Sequence, residues 1–250
     1  MDKGTVFCIT GIDTDIGKTV ATGLIARGLL GAGRTVITQK AVQTGCDRLS
    51  EDILSHRDAM GCGILPEDEA GLTCPYLFST PCSPHLAARI ESAEIFPDTI
   101  SRATDRLCDR YDVVLLEGAG GLFVPLQTDY TLIDYLSEMS YPVILVTSSK
   151  LGSLNHTFAS FEALQNRQLN LAGVIYNRYG ESDQRIGEDS LYMITRHLGK
   201  YGFSCPVIEM HEKHLHQERE DCIKFSTICT DKGEQSPPIP GLHPDRTNSL

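Results

Sequence analysis

The sequence predicts an α/β fold in which a parallel sheet carries helices on both faces, and three observations predict it. Short apolar runs rich in β-branched residues recur along the chain, segments with helical patterning separate most of them, and the first run leads through a glycine-bounded turn into a helix. Strands buried on both faces read as continuous apolar runs rather than alternating ones, and that is the pattern of a covered parallel sheet.

Taken in order, Thr5–Thr10 reads as the first strand and Gly17–Leu30 as the helix that follows it. Thr35–Thr38 is the second strand. Ser83 is an available N-cap and Pro84 fits the first helical position, so Pro84–Ile90 reads as a helix. Pro97–Tyr111 is a further helix and Asp112–Glu117 the next strand. Helix Leu132–Met139, strand Pro142–Thr147, helix Asn155–Gln165, strand Leu171–Tyr176 and helix Arg185–Leu198 continue the alternation, and Cys205–Ile208 adds a last strand. From about Asp231 the chain turns to Ser, Pro, Gly and charge with almost no apolar pattern. A single domain over residues 1–230 and a disordered tail over 231–250 are therefore expected.

Composition narrows the partners. The 250 residues are 41% hydrophobic and 22% charged, which suits one globular core. A net charge of -11, with no Lys/Arg block, argues against nucleic acid, although it does not bear on nucleotides, which a phosphate loop binds through local N–H groups and one lysine. Nine cysteines in an odd set show no zinc-type spacing and read as reduced, mostly structural thiols. Only the short run Val6–Ile9 precedes acidic residues at the start, and no later stretch is long enough to span a bilayer, so no membrane association and a cytoplasmic location are expected. His211-x-x-His214-x-His216, flanked by Glu and Lys, reads as a solvated segment rather than a metal site.

Chemistry concentrates after the first strand. In Gly11-Ile-Asp-Thr-Asp-Ile-Gly17-Lys18-Thr19 the helix start offers free N–H groups to an anion, Lys18 reaches terminal phosphates and the Thr19 hydroxyl ligates Mg²⁺. Five residues rather than four separate the two glycines, yet the strand-to-helix setting argues against a chance Gly-Lys-Thr and makes the fold P-loop NTPase-like. Glu117 ends an apolar strand just before Gly118, at the carboxyl edge of the sheet where ligand crevices form. Mg²⁺ takes one or two protein carboxylates, and Thr19 and Glu117 fit that need; Asp58 lies in Ser55-His-Arg-Asp58-Ala, a segment that can form a helix and where an acidic residue is usually at the surface.

The loop resembles the Gly-Thr-Asp-Thr-Glu-Val-Gly-Lys-Thr loop of the dethiobiotin synthetase family, and four further blocks occur in the family's order. They are Lys40-Ala-Val-Gln-Thr44-Gly45, Pro75–His85 with its Ser83-Pro84-His85, Glu117-Gly-Ala-Gly-Gly121, and Val143–His156 with Lys150-Leu-Gly152-Ser-Leu-Asn155. Ile12, Asp15, Ala41 and Thr44 depart from the family pattern, and beyond Asn177 the resemblance rests on Tyr192. It implies that CO₂ is joined to 7,8-diaminononanoate with ATP and Mg²⁺, through a carbamate and a carbamic-phosphoric anhydride, giving dethiobiotin, ADP and phosphate. Lys18 and Lys40 are then catalytic. Asp58 joins Thr19 and Glu117 at the metal, a part implied only by its place after the Lys40 block of the family that the chain resembles. Thr14 and Thr44 bind the amines or carbamate, while Gly152, Ser153, Asn155 and Tyr192 bind the substrate carboxylate across a homodimer interface. The nucleotide falls to Asp15, Ile16, Gly17, Lys18, Thr19 and Val20 of the loop, to Asp58, Glu117, Gly118, Ala119 and Gly120, and to Asn177 and Arg178 near the base.

Two other readings share this architecture. A partitioning-type ATPase switch usually carries a second lysine early in the loop, where Ile12 stands here, and its membrane-bound forms end in an amphipathic helix, for which Glu209–Glu220 is too charged. A cobyrinate-type amidoligase needs a glutaminase domain, for which the chain after Ile208 is too short, so only a glutamine-independent relative would fit.

Overall fold

The computed structural model of the chain describes residues 3–181, 183–212, 214 and 222–229. Its elements begin β1 (Thr5–Gly11), α1 (Lys18–Gly31), β2 (Val36–Lys40), β3 (Gln43–Thr44), α2 (Glu51–Met60), α3 (Pro66–Glu69), β4 (Leu77–Phe78), α4 (Pro84–Ile90) and α5 (Pro97–Cys108). They continue β5 (Val113–Gly121), β6 (Pro125–Gln127), β7 (Tyr130–Thr131), α6 (Leu132–Met139), β8 (Val143–Ser148), α7 (Ser153–Asn166), β9 (Leu171–Asn177), α8 (Gln184–Lys200), β10 (Val207–Met210) and α9 (Ile223–Ser226), which runs into a 3₁₀ turn at Thr227–Cys229.

Six strands form one sheet in the order β10-β9-β8-β1-β5-β2, and every pairing in it is parallel. Side chains alternate between the faces. Val6, Cys8, Val114, Leu116, Val143 and Leu145 pack on one side with Leu107 of α5, Leu136 of α6, Phe161 of α7 and Ile194 of α8. Phe7, Ile9, Val113, Leu115, Ile144 and Val146 pack on the other with Leu24 and Ile25 of α1, Met60 of α2 and Phe225 of α9. This is the covered parallel sheet that the sequence predicts.

Alternation also decides where the strand-end charges go. Lys40 has the parity of Val36, and Glu117 that of Val113 and Leu115, so both side chains leave the sheet toward α1 and α2. The two residues are register partners on the adjacent strands β2 and β5.

The long elements follow the expected boundaries within a few residues. Helix α7 starts at Ser153 rather than Asn155 because Gly152, at φ 92°, turns the chain into the helix there, and α5 stops at Cys108 rather than Tyr111. The helix α9 was not expected, and His214, read as solvated, is buried against the Phe225 ring with Nε2 2.8 Å from Lys224 Nζ. All nine cysteines are free thiols, and burial pushes the Cys8 thiol up to about 12. No helix among the described residues is long and apolar enough to cross a membrane. The tail expected over 231–250 lies outside the described residues.

Candidate active site

The phosphate loop is shaped by backbone conformations few residues tolerate. Asp15 has φ 52° and Gly17 φ 93°; aspartate is among the residues enriched there, whereas a Cβ on Gly17 would also stand 2.7 Å from Asn177 Nδ2. Asn177, at the end of β9, donates from Nδ2 to the Ile16 carbonyl at 2.9 Å and accepts the Tyr179 N–H at Oδ1, so it straps the loop to the sheet. Ile16 anchors the loop from the other side, with its side chain buried beneath Gly11. No side chain caps α1, which leaves the first-turn N–H groups for an anion. Lys18 Nζ donates to the Asp13 carbonyl at 2.8 Å. Burial, helped by the nearby Lys40 charge, holds the Lys18 pKa below the ordinary lysine value.

Beside the loop lies a buried charge cluster. Lys40 Nζ is 2.5 Å from Asp52 Oδ2 and 2.8 Å from Glu117 Oε1, with the Gly118 carbonyl at 3.3 Å. Burial alone would push the Lys40 pKa down, but the Glu117 and Asp52 carboxylates outweigh it and the pKa lies above the usual value. For Glu117 burial pushes upward, and the Lys40 charge with the His56 hydrogen bond overcomes it, leaving the carboxyl well below its usual range. Helix α2 supplies Asp52 from its first turn, where Ser50 caps the helix by accepting the Ile53 N–H and the macrodipole favours an anion.

Thr19 Oγ1 lies 3.0 Å from Asp52 Oδ1 and 3.2 Å from Glu117 Oε1, two alternative acceptors for its one proton. Two carboxylate oxygens and a hydroxyl converging on one place form the hard oxygen donor set that Mg²⁺ takes, with phosphate and water completing it. Asp58 is corrected by this geometry. It lies six positions beyond Asp52, about 120° away around the helix axis, and is exposed. Asp52, which sequence reasoning did not single out, is the α2 carboxylate that stands beside Thr19 and Lys40.

A cavity of about 510 Å³ opens over the cluster and brings Thr14, Asp15, Lys18, Lys40, Thr44 and Glu117 together; Gly17, Thr19, Val20, Ala119 and Gly120 also border it. A second cavity of about 610 Å³, sharing no lining residue with the first, is bordered by Lys150, Gly152, Ser153, Asp183 and Arg185. Ser153 Oγ is buried with no hydrogen-bond partner among the described residues. Asn155 is exposed, Tyr192 is 59% exposed, and neither lines either cavity. Arg178 is gripped at both edges of its guanidinium, by Glu181 and by Glu209 Oε2 at 2.6 Å, and borders neither cavity.

A family model described as an AAA domain matches residues 5–210. The chain is 53% identical over 196 residues to the ATP-dependent dethiobiotin synthetase BioD 2 of Pasteurella multocida, covering 78% of this chain and 92% of that one. It is 49% identical over 220 residues to the ATP-dependent dethiobiotin synthetase BioD of Chlorobaculum tepidum, covering 88% and 92%. Among solved structures, the septum site-determining protein MinD of Pyrococcus horikoshii, complexed with Mg-ADP, matches with TM-score 0.53 and 16% identity over 90% of this chain and 94% of that one. The pNOB8 ParA structure matches with TM-score 0.51 and 16% identity, covering 90% and 96%. At such identity the two structures establish a common P-loop NTPase fold and nothing further.

Proposed function

The chain belongs to the dethiobiotin synthetase family, ATP-dependent ligases of biotin biosynthesis, and on that premise we propose that it builds the cyclic urea of dethiobiotin from 7,8-diaminononanoate and CO₂ around the Lys40 cluster. An amine nitrogen bonds to the CO₂ carbon and loses a proton. A carbamate oxygen then takes the γ-phosphoryl group of ATP as its bond to ADP breaks, and the second amine attacks the carbamoyl carbon while phosphate leaves. Each step gathers negative charge at one place, so catalysis consists chiefly of positioning and electrostatic stabilisation.

The observation that carries this reading is the Lys40 ammonium, held between Glu117 and Asp52 in the same cavity as Thr14, Thr44 and the phosphate loop. Lys40 steadies the carbamate and the transferring phosphoryl group, Lys18 the β- and γ-phosphates, and the Thr14 and Thr44 hydroxyls orient the amines. Thr19, Asp52 and Glu117 would hold Mg²⁺, which when bound would neutralise phosphate oxygens. Asn177, strapped to the loop at Ile16, and its neighbour Arg178 take the base. Gly152, Ser153, Asn155 and Tyr192 receive the carboxylate of a substrate bound in a second copy; the separation of the cavity bordered by Gly152 and Ser153 from that of Lys40, and the unpartnered Ser153 hydroxyl, support this. Likeness in fold to MinD and ParA gives no reason to prefer a partitioning switch.

The test is to supply ATP, Mg²⁺, bicarbonate and 7,8-diaminononanoate together and follow phosphate and the cyclic urea. The two should appear in equal amounts; phosphate release that ignores the diamine and yields no cyclic product overturns the reading. Mixing Lys40→Met with Tyr192→Ala chains should restore part of the activity that each lacks alone, and no recovery in mixed dimers refutes a shared site.

A further inference from the structure

The two oxygens of Glu117 are used differently. Oε1 faces the reactive cluster, 2.8 Å from Lys40 Nζ and 3.2 Å from Thr19 Oγ1. Oε2 is turned inward, 2.9 Å from His56 Nε2 and 3.0 Å from Thr22 Oγ1. Glu117 and His56 are both fully buried, so no water substitutes for these contacts.

The two inward contacts are not equivalent. A hydroxyl has one proton, and Thr22 has a second acceptor in the Lys18 carbonyl at 2.9 Å, the usual back-bond of a helical threonine. His56 has no such alternative: Nδ1 is buried without a hydrogen-bond partner among the described residues, so the ring's polar contact is with Glu117. An ionised carboxylate only accepts, which makes Nε2 the N–H donor. An imidazole with one nitrogen left unpaired in the interior is a poor choice for packing alone. It sits one turn beyond Asp52 on the same face of α2, so this single helix delivers a carboxylate to the cluster and a donor to the back of Glu117.

We propose that His56 is a positioning residue that ties down Glu117 Oε2 and leaves Oε1 as the one oxygen presented to the cation of the site, which favours Mg²⁺ over Ca²⁺. The proposal rests on the reading of Glu117 as a metal-binding group. Mg²⁺ requires a small, near-octahedral shell, whereas Ca²⁺ accepts bidentate carboxylates in a larger, more flexible one. A carboxylate locked by one oxygen from behind cannot swing both oxygens toward a cation.

Binding of Mn²⁺ to the full-length protein with ADP, read by electron paramagnetic resonance of the free ion and competed with Mg²⁺ or Ca²⁺, tests this without turnover. Glutamine at position 56 can place its Nε2 where the imidazole Nε2 lies, whereas asparagine reaches only the Nδ1 position. His56→Asn should lower the Mg²⁺ to Ca²⁺ affinity ratio about tenfold, the scale on which partners of metal-binding groups act, and His56→Gln should keep it near wild type, with thermal unfolding confirming that both fold. An unchanged ratio in His56→Asn overturns the proposal, as does an equal loss in Asn and Gln. Glu117→Gln separates the two levels: if it leaves Mn²⁺ binding intact, the reading of the metal site fails as well.

Discussion

Replacing Lys40 by methionine keeps most of the side-chain volume and removes the cation between two carboxylates. Breaking a buried pair by deleting one partner costs about 3–5 kcal/mol because a charge is left uncompensated. The low end applies here. Asp52 keeps 23% of its side-chain surface in water, and Glu117 retains Thr19, Thr22 and His56 as neighbours, so about 3 kcal/mol is expected at neutral pH. Without Lys40, burial drives the Glu117 pKa upward, and a proton taken up there relieves the penalty; the deficit against wild type should therefore shrink as pH falls from 8 to about 5. Adding Glu117→Gln should return at least about 1.5 kcal/mol, because the coupled pair is then absent altogether. Activity should fall in both variants by about 10²–10³, the usual loss on removing a preorganised electrostatic group. Urea unfolding across pH and coupled phosphate and cyclic-urea assays read the two effects. A single variant as stable as wild type, a double variant no more stable than the single one, or retained turnover would refute the role given to Lys40.

Asp52→Asn should raise the Mg²⁺ concentration for half-maximal phosphate release about tenfold, whereas Asp58→Asn, on the exposed side of the same helix, should leave it unchanged; the reverse order would return the metal role to Asp58. Gly17→Ala must accommodate both φ 93° and a Cβ 2.7 Å from Asn177 Nδ2, so ADP binding by calorimetry should be lost with a stability cost of about 1–3 kcal/mol. Unchanged ADP affinity would show that the loop is not held as described. Asp134 accepts the Thr131 N–H and hydroxyl in a capping box, and these bonds hold its pKa down at about 2 from an ordinary 3.8. Asp134→Ala should cost about 1 kcal/mol at pH 7. Because the folded pKa is the lower one, that stabilisation is complete above 3.8 and fades as pH falls through about 2, which unfolding at successive pH values can follow.

The fold was legible because the sheet is apolar on both faces: the central strands carry the continuous apolar runs Val6-Phe-Cys-Ile9, Val113-Val-Leu-Leu116 and Val143-Ile-Leu-Val146, a pattern that neither a half-exposed strand nor an amphipathic helix produces. The phosphate loop and Glu117 were legible because each adjoins such a strand, whereas Lys40, beyond the mixed run Val36-Ile-Thr-Gln, was singled out by its motif block. Asp52 was not. The inner face of α2 is Ile53, His56, Arg57 and Met60, at perfect helical spacing, but half of it is polar. Arg57 is buried there in a paired fork with Asp68 and a bond to Thr38, so the hydrophobic period that would have set the helix phase is masked, and nothing in the pattern pointed to Asp52. Position 56 was equally hidden, since nothing in Ser-His-Arg shows which of them faces a strand end. Helix α9 is four residues long, too short for any periodicity to register.

The position of β1 at the middle of the sheet has a consequence for how the chain comes into being. Its two neighbours, β5 and β8, lie far from it in sequence, and α9, whose Phe225 covers the helix of the phosphate loop, follows every strand among the described residues. The shape of the phosphate loop therefore depends on pairing with strands more than a hundred residues away in sequence. Until those strands pair with it, β1 is a β-rich segment with both edges open, and long-range parallel pairing of this kind is slow and exposes such edges to aggregation.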